Sequence, residues 1–422
     1  MKHHAHAWRA MHHAGYRLYF AGQAISILGN WIQQVALGWL VYRLTGSAML
    51  LGTVAFLTQI PQLVVSPLAG IVIDRSNIRQ LMIVVQLAML LQAASLAVLT
   101  WFGLVVPWHI LVAATVFGIL NSFDVPLRHA YTSQLVPDRQ DLPNAIALNS
   151  LFFNLARFIG PPLAGFILTH TSEASCFALN AISFVATIGV LLYLRTSSQA
   201  HSSAAFADAL REGFVFVRQH FPVRHLLWQV ALLNFLAASY VPLMPAFARD
   251  VFRGGPDTLG LLLGSAGAGA LLASVTLAGR RSVRGLSGSI AQGNLLASLS
   301  LIGFVLTSDI GVAIVMLFLL GFGLITCNTS SNTILQTILP ERLRGRILAL
   351  YSAANLGAAA LGGLVCGAMA DHWGPGPSLL LMGILLIAVS LFFYARLELF
   401  RMHLRPIYAQ LGIKHPSKQE ES

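Results

Sequence analysis

Twelve stretches of this chain are each apolar for about 20 residues or more, enough to cross a ~30 Å hydrocarbon core as a helix. They run over about 18–42, 50–73, 81–103, 108–132, 143–169, 174–194, 224–248, 258–279, 287–307, 311–336, 346–370 and 376–396. Of the 422 residues 56% are hydrophobic and only 10% charged. A water-soluble domain carries roughly 25% charged residues. A mean hydropathy of +0.72 agrees, and the expected fold class is an all-α membrane protein with twelve transmembrane helices.

Lysine and arginine set the topology. With the N-terminus inside, 22 of the 26 fall on the inner side, Arg43, Arg249 and Arg253 fall outside, and Arg157 lies within a span. Positive charge is retained on the cytoplasmic face, so both termini are expected there. The net charge of +11 is scattered singly between apolar runs, which argues against a nucleic-acid patch. Cys176, Cys327 and Cys366 lie far apart in apolar runs, so neither a disulfide framework nor a structural zinc site is expected. The first apolar run is long and lacks a small-residue cleavage pattern after it, so no cleavable signal peptide is expected. His3, His4, His6, His12 and His13 sit in a short polar tail without fixed geometry. Solvation suits them better than metal binding.

The sequence divides into a tail over 1–15, a six-helix unit over 16–195, a central loop over 196–223, a second six-helix unit over 224–396 and a loose charged tail over 397–422. Within the central loop the stretch from Phe206 to Arg218 is apolar every three to four residues, an amphipathic helix suited to the membrane surface. The halves repeat. Ala147-Leu148-Asn149-Ser150 is followed by Gly160 and Gly165, and Ala349-Leu350-Tyr351-Ser352 is followed at the same spacing by Gly362 and Gly367. Each copy follows a similar turn, Pro137-Asp138-Arg139 or Pro340-Glu341-Arg342. In repeat-built transporters the substrate site lies near the midplane where the halves meet.

Between the second and third runs stands a charged turn, Gly70-Ile71-Val72-Ile73-Asp74-Arg75-Ser76-Asn77-Ile78-Arg79. Burying Asp74 or Arg75 in hydrocarbon would cost at least ~2.5 kcal/mol each, so the turn belongs at the membrane surface. Gly70, one helical turn before Asp74, leaves room for a neighbouring backbone, and Asn77 tolerates the left-handed conformation of a tight reversal. An ordinary cytoplasmic loop would also read this way. The spacing Gly-x-x-x-Asp-Arg-x-x-x-Arg at this place resembles the loop signature of the major facilitator superfamily of transporters. The resemblance extends over nearly the whole chain. Tyr16-Arg17-Leu18-Tyr19-Phe20-Ala21-Gly22-Gln23, Trp39-Leu40-Val41-Tyr42 with Thr45-Gly46-Ser47, Asn144-Ala145-Ile146-Ala147-Leu148-Asn149-Ser150 and Leu343-Arg344-Gly345-Arg346 are similar to the bacterial drug- and siderophore-exporting branch that includes the enterobactin exporter. Asn77 departs from the common form, where glycine is frequent.

The resemblance implies the major facilitator fold, two six-helix pseudo-repeat bundles rocking about a central cavity. It implies a conformational latch in which Asp74, with Gly70, Arg75 and Arg79, meets the start of the eleventh span, where Arg344 and Arg346 stand. Gly160-Pro161-Pro162-Leu163-Ala164-Gly165 resembles the helix-packing motif of the superfamily's antiporters without its terminal glycine pair. It also implies that spans one, four, seven and ten line the cavity. Gln23, Asn30 and Gln33, on one face of the first span with Ser26, are then cavity-lining candidates, as are Tyr240, Asn328 and Asn332. Hydrogen bonds between helices are the alternative role for all six.

Inside the membrane Arg157 stands out, roughly 21 Å into the fifth span at 1.5 Å per residue and with Asn154 one turn before it. An arginine cannot neutralise there, so it needs a partner or a wet cavity. It either binds an anionic or polar substrate and relays coupling, or it is a structural pair. Asp124 and Arg128 in the fourth span have the i,i+4 spacing of a local ion pair. A proton-coupling role for Asp124 is the alternative.

No Gly-x-x-x-x-Gly-Lys-Ser/Thr occurs, and no nucleophile–base constellation stands out, so neither ATP hydrolysis nor another enzyme activity is expected and no cofactor is called for. The expected function is a secondary exporter in a bacterial inner membrane that moves an amphipathic small molecule in exchange for protons. Uptake or facilitated diffusion is an alternative, and a non-transporting sensor or lipid-handling protein is another. The expected partners are a small-molecule substrate, protons and the lipid bilayer, with a monomer favoured.

Overall fold

The structure is a computed structural model that describes residues 8–138, 140–194, 206–280 and 282–412. His3, His4, His6, Arg139, Arg195, the stretch 196–203, Arg281, Lys414 and Lys418 lie outside the described residues. Among the described residues, twelve helical segments are long and apolar enough to span a bilayer. The first six are α1 (Ala14–Thr45), α2 (Ala48–Arg75), α3 (Ile78–Trp101), α4 (Pro107–Leu135), α5 (Leu142–His170) and α6 (Glu173–Tyr193). A surface helix, α7 (Phe206–Gln219), precedes the broken seventh span, α8 (Phe221–Ala237) followed by α9 (Tyr240–Ala246). Then come α10 (Pro256–Ala278), α11 (Leu286–Leu306), α12 (Ile310–Ile338), α13 (Glu341–Trp373), α14 (Pro375–Ala395) and the short α15 (Leu397–Gln410).

Several helix starts are fixed by side-chain caps. Ser47, Asn77 and Asp309 accept hydrogen bonds from the backbone N–H of Leu50, Gln80 and Val312 at 3.2, 3.1 and 2.9 Å. Gly46, at φ +63°, ends α1 in the left-handed conformation. Asn77 does not do what the tight reversal suggested. Its φ is −72°, and it turns the chain as an ordinary N-cap of α3.

The seventh span breaks at Ala238–Ser239 for a covalent reason. Pro242 and Pro245 have no N–H to give the carbonyls of Ala238 and Val241, and the Ala238 carbonyl instead accepts from Val241 at 3.3 Å. The chain then runs through Tyr240–Ala246 into a wide turn, Phe247–Val251. Such interruptions persist in membranes where they line a cavity or are buried in protein.

Spans one to six pack on one another, as do spans seven to twelve, and two seams join the groups: α5 on α10 and α2 on α13. Both seams are glycine seams. A Cβ on Gly165 would stand 2.5 Å from the Pro256 carbonyl and one on Gly260 2.6 Å from that of Pro161. A Cβ on Gly52 would stand 2.5 Å from the Gly363 carbonyl and one on Gly367 2.6 Å from that of Ala48. The glycines singled out by the internal repeat, Gly165 and Gly367, thus occupy corresponding seams.

The two ends of the molecule differ. At the end away from the termini a single apolar core crosses both groups, from Leu40 and Tyr42 to Leu236, Phe247 and Phe304. At the termini end the core divides. Tyr16, Tyr19, Met82 and Tyr131 form one cluster, and Leu226, Ile290, Phe393 and Phe400 form another. The residues 397–410, expected as part of a loose tail, form α15, which docks on the second cluster. Phe400, Leu404 and Tyr408 recur every four residues and are buried together.

Candidate functional site

A cavity of about 540 Å³ lies between the two groups, under the far-end seal. Its walls come from α1 (Trp31, Gln34, Gly38), α2 (Thr58, Gln59, Gln62), α4 (Phe117, Asn121), α5 (Phe153, Arg157, Pro161), α8 and α9 (Asn234, Tyr240), α10 (Leu263, Gly267), α12 (Asn328) and α13 (Asn355). Apolar and aromatic surface is interleaved with amides, the composition of a small-molecule site. Arg157 is the one charged side chain among these described walls.

Local covalent structure puts Arg157 there. Pro161 and Pro162 have no N–H to give the carbonyls of Arg157 and Phe158 one turn earlier. Gly267 of α10 closes over this spot, where a Cβ would come within 2.7 Å of the Arg157 oxygen. The guanidinium lies near the hydroxyl of Tyr240, on the broken seventh span. Among the described residues no carboxylate pairs with it. Asn234 and Asn328 clasp each other at 3.0 and 3.3 Å across α8 and α12, and the hydroxyl of Tyr351 donates to the Asn328 carbonyl at 2.6 Å. Gln34, Gln59 and Asn121 make no hydrogen bond to a described residue and keep their amide capacity for the cavity.

Of the six cavity candidates on spans one, seven and ten, Tyr240 and Asn328 line this cavity; Gln23, Asn30, Gln33 and Asn332 do not. Gln33 donates to Gln92 of α3 at 3.1 Å and accepts from Asn180 of α6 at 2.8 Å, and Asn30 accepts from the same Asn180 at 3.3 Å. Gln23 is buried on that face. The polar face of α1 therefore points into the first six-helix group. The cavity sees the next residue, Gln34, about 100° around the helix. Asn332 accepts from Gln336 one turn on at 2.8 Å. Asn154 donates to the Ser150 carbonyl of its own helix at 2.9 Å, outside the cavity walls.

Asp124 and Arg128 form a buried pair within the first group. Arg128 Nε stands 2.5 Å from Asp124 Oδ2, and Gln86 of α3 donates to Asp124 Oδ1 at 2.6 Å. Arg128 reaches Ser26 of α1 at 3.5 Å. Three helices are tied at this point, and the pair does not open onto the cavity. Gly160, in the Gly-Pro stretch, admits Trp31 of α1: a Cβ there would stand 2.5 Å from the tryptophan Cβ. Pro161 lines the cavity, so the motif packs helices on two sides of it.

The far-end seal is polar as well as apolar. Asp371, near the end of α13, accepts hydrogen bonds from Ser47 Oγ at 2.7 Å, Ala48 N at 2.6 Å and Met49 N at 3.1 Å. It therefore caps the start of α2 from the other half of the molecule, with its charge at the positive end of the helix dipole. Tyr42 donates to Asp250, and Arg249 lies over the Tyr42 ring at 5.9 Å. Sequence reasoning missed Asp371. The signal was there: Gly367-x-x-x-Asp371 repeats the spacing of Gly70-x-x-x-Asp74.

At the termini end that second copy is disengaged. Asp74 makes no hydrogen bond or ion pair with a described residue, and a Cβ on Gly70 would meet nothing within 4 Å. Arg75 is exposed. Arg79 instead caps the end of α6, donating to the carbonyls of Leu191 and Leu192 at 2.6 and 2.9 Å. Arg346, with Arg342, pairs with Glu212 of α7, while Arg344 forms no ion pair among the described residues. In this conformation the residues assigned to a latch do not meet. The branch-signature residues Tyr16 and Asn149 do: the Tyr16 hydroxyl lies 3.0 Å from Asn149 Oδ1 and from the Ala145 carbonyl, clamping α1 to α5.

The profile of the transmembrane secretion effector family matches residues 5–416. The staphyloferrin A transporter of Staphylococcus aureus is 26% identical over 380 residues, covering 90% of this chain and 95% of the relative. Macrolide efflux protein A of Streptococcus pyogenes is 23% identical, covering 88% and 93%. The enterobactin exporter EntS of Escherichia coli is 28% identical, covering 89% and 92%. Among solved structures, the nucleoside transporter NupG superposes with a TM-score of 0.70 at 13% identity over 90% of this chain and 99% of its own. A bacterial homologue of the lysosomal transporter Spinster, inward-facing and unoccupied, superposes with a TM-score of 0.68 at 14% identity over 92% and 98%.

Proposed function

The chain belongs to the transmembrane secretion effector family, in the drug- and siderophore-exporting branch of the major facilitator superfamily, and from that premise we propose that it exports an amphipathic small molecule by alternating access. It is a membrane transporter and not an enzyme. The observation that carries the export cycle is the asymmetry of the two ends. The central cavity is sealed by Asp371, Tyr42 and a continuous apolar core on one side, while on the other the core is divided and Gly70 and Asp74 stand unengaged.

The distribution of lysine and arginine supports placing the termini in the cytoplasm of a bacterial cell, with the protein in the inner membrane. The conformation is then inward-facing. Substrate enters the cavity from the cytoplasm, and the six-helix units over 16–195 and 224–396 rock on the two glycine seams. Asp371 leaves α2, and Asp74 moves to the start of α13, whose N-cap, Pro340, provides no side-chain cap. An anion arriving at uncapped backbone N–H groups is favoured by the helix dipole and by charge-assisted hydrogen bonds. Protons drive the return. Asp124 is the carboxylate placed between spans deep in the first unit, and its exchange of protons would act through Arg128 and Gln86 on the packing of α1, α3 and α4.

The test is transport in proteoliposomes with a panel of amphipathic dyes and a catecholate siderophore. With the cytoplasmic face outward, an acidified lumen should drive panel members inward. Movement indifferent to the gradient would replace proton exchange with facilitated diffusion. Movement in the opposite sense under the same gradient would make the protein an importer.

A further inference from the structure

The charge of the cavity identifies the chemistry of its cargo, an inference that rests on the cavity being the transport site. Arg157 has a permanent positive charge, cannot deprotonate in a protein, and has no carboxylate partner among the described residues. The polar group of the seventh span near it is the uncharged hydroxyl of Tyr240. A cation held that deep in a membrane protein is costly unless water or a counter-charge meets it. The protein had carboxylates to offer and places them elsewhere. Asp124 is committed to Arg128, Glu173 to Arg43, and Asp250 and Asp371 to the far-end seal. The counter-charge of Arg157 is therefore left to whatever occupies the cavity.

The surroundings give the rest of the specification. Gln34, Gln59 and Asn121 present amides with no hydrogen bond to a described residue, each able to donate to an oxygen-rich group. Trp31 and Phe153, 6.2 Å apart, form an aromatic wall next to them. We propose that the transported molecule is an amphipathic anion whose carboxylate, or an equivalent planar oxyanion, docks on the Arg157 guanidinium while its apolar part lies against Trp31 and Phe153. A guanidinium fork matches a carboxylate with two parallel N–H···O bonds, which selects geometry as well as sign. The same cation opposes a positively charged amphipath, since no wall residue compensates it. Loading also has a mechanical consequence. It neutralises the cation before the cavity is cut off from water, so the closed, loaded carrier holds no bare charge at its centre.

The experiment uses the full chain, purified and in proteoliposomes, with three probes built on one dansyl–alkyl body: a terminal carboxylate, its methyl amide and a trimethylammonium. Binding is followed by dansyl fluorescence and transport by counterflow. The carboxylate should bind at least tenfold more tightly than the amide and the ammonium more weakly than both. Arg157→Gln should erase the carboxylate's margin over the amide, and Arg157→Lys should keep the sign of the preference with a smaller margin. Equal binding of the three probes, a preference for the ammonium, or a margin that survives Arg157→Gln overturns the inference. If Arg157→Gln does not fold, the preference of the unmodified protein decides alone. Counterflow of the amide or ammonium in preference to the carboxylate would leave the cavity as transport site and remove only the anion. Binding with preference but no counterflow would retain the anion site and remove the transport reading. Binding of none of the three at millimolar concentration overturns the anion site.

Discussion

Replacing Asp371 with alanine should shift the protein toward the conformation open at its far end. The carboxylate accepts from Ser47 Oγ, Ala48 N and Met49 N, at 2.7, 2.6 and 3.1 Å, all across the boundary between the two six-helix groups. Hydrogen bonds to a charged acceptor are worth about 1.5–3 kcal/mol when well sheltered, but this one is exposed and screened, and Ser47 continues to cap its own helix through Leu50 N. A net loss of about 1–2 kcal/mol from the far-end-closed state is the reasonable scale, equivalent to a ~5–30-fold shift in the ratio of closed to open molecules. Asp371→Asn keeps an acceptor oxygen and gives up the charge, so it should shift the ratio in the same direction by less. Spin labels at Leu104 and Trp373, 62% and 60% exposed at the far ends of the two groups, report the opening by electron–electron resonance. The native cysteines are buried, which protects them from the label. A distance distribution for Asp371→Ala that matches the unmodified protein, in a sample that unfolds at the same temperature, would refute the seal as an energetic element.

Asp74→Asn should move the same label pair in the other direction under turnover and slow transport, with the protein still inserted in the membrane; undiminished turnover removes the latch. Asp124→Asn leaves Arg128 as an uncompensated buried cation, a loss of about 3–5 kcal/mol that should appear as a large drop in thermal stability. The pair Asp124→Asn with Arg128→Gln should recover most of it, and if that double variant still responds to a proton gradient, Asp124 is not the proton carrier. Gly52→Ala would place a Cβ 2.5 Å from the Gly363 carbonyl, where backbone meets backbone and nothing can swing away. The far seam should then fail to close fully, at about 1–3 kcal/mol, and the label distances should broaden toward the open form.

The fold could be read from the chain because the signals for it are redundant. Each span is its own hydropathy argument, and the caps that end them, Ser47, Asn77 and Asp309, are ordinary local chemistry. The cavity was only partly legible. Arg157 was visible because a charge in a span demands an explanation, and Tyr240 because the family resemblance has the seventh span lining the cavity. Gln33 and Gln34 illustrate the limit. They are adjacent, equally polar and equally deep, yet one ties α1 to α3 and α6 while the other faces the cavity. Polarity along a helix shows that a face needs partners, and the rotation that decides which partners comes from packing of the whole bundle. The same holds for Arg79, whose spacing fits the loop signature and whose guanidinium caps α6.

The two Gly-x-x-x-Asp sequences suit the rocking motion proposed for the two bundles. Both stand at the end of a seam helix, Asp74 on α2 and Asp371 on α13, and these helices pack on each other in opposite directions. When Asp371 sits on the start of α2, the glycine one turn before it, Gly367, lies against the Ala48 carbonyl, so charge and close packing engage together. The equivalent glycine at the other end, Gly70, faces open space at the same moment as Asp74 lacks a partner. In the proposed cycle this pair of helices has a clasp at each end, the Asp371 clasp closed here and the Asp74 clasp apart. In that cycle, what changes is which helix start is capped, that of α2 by Asp371 or that of α13 by Asp74.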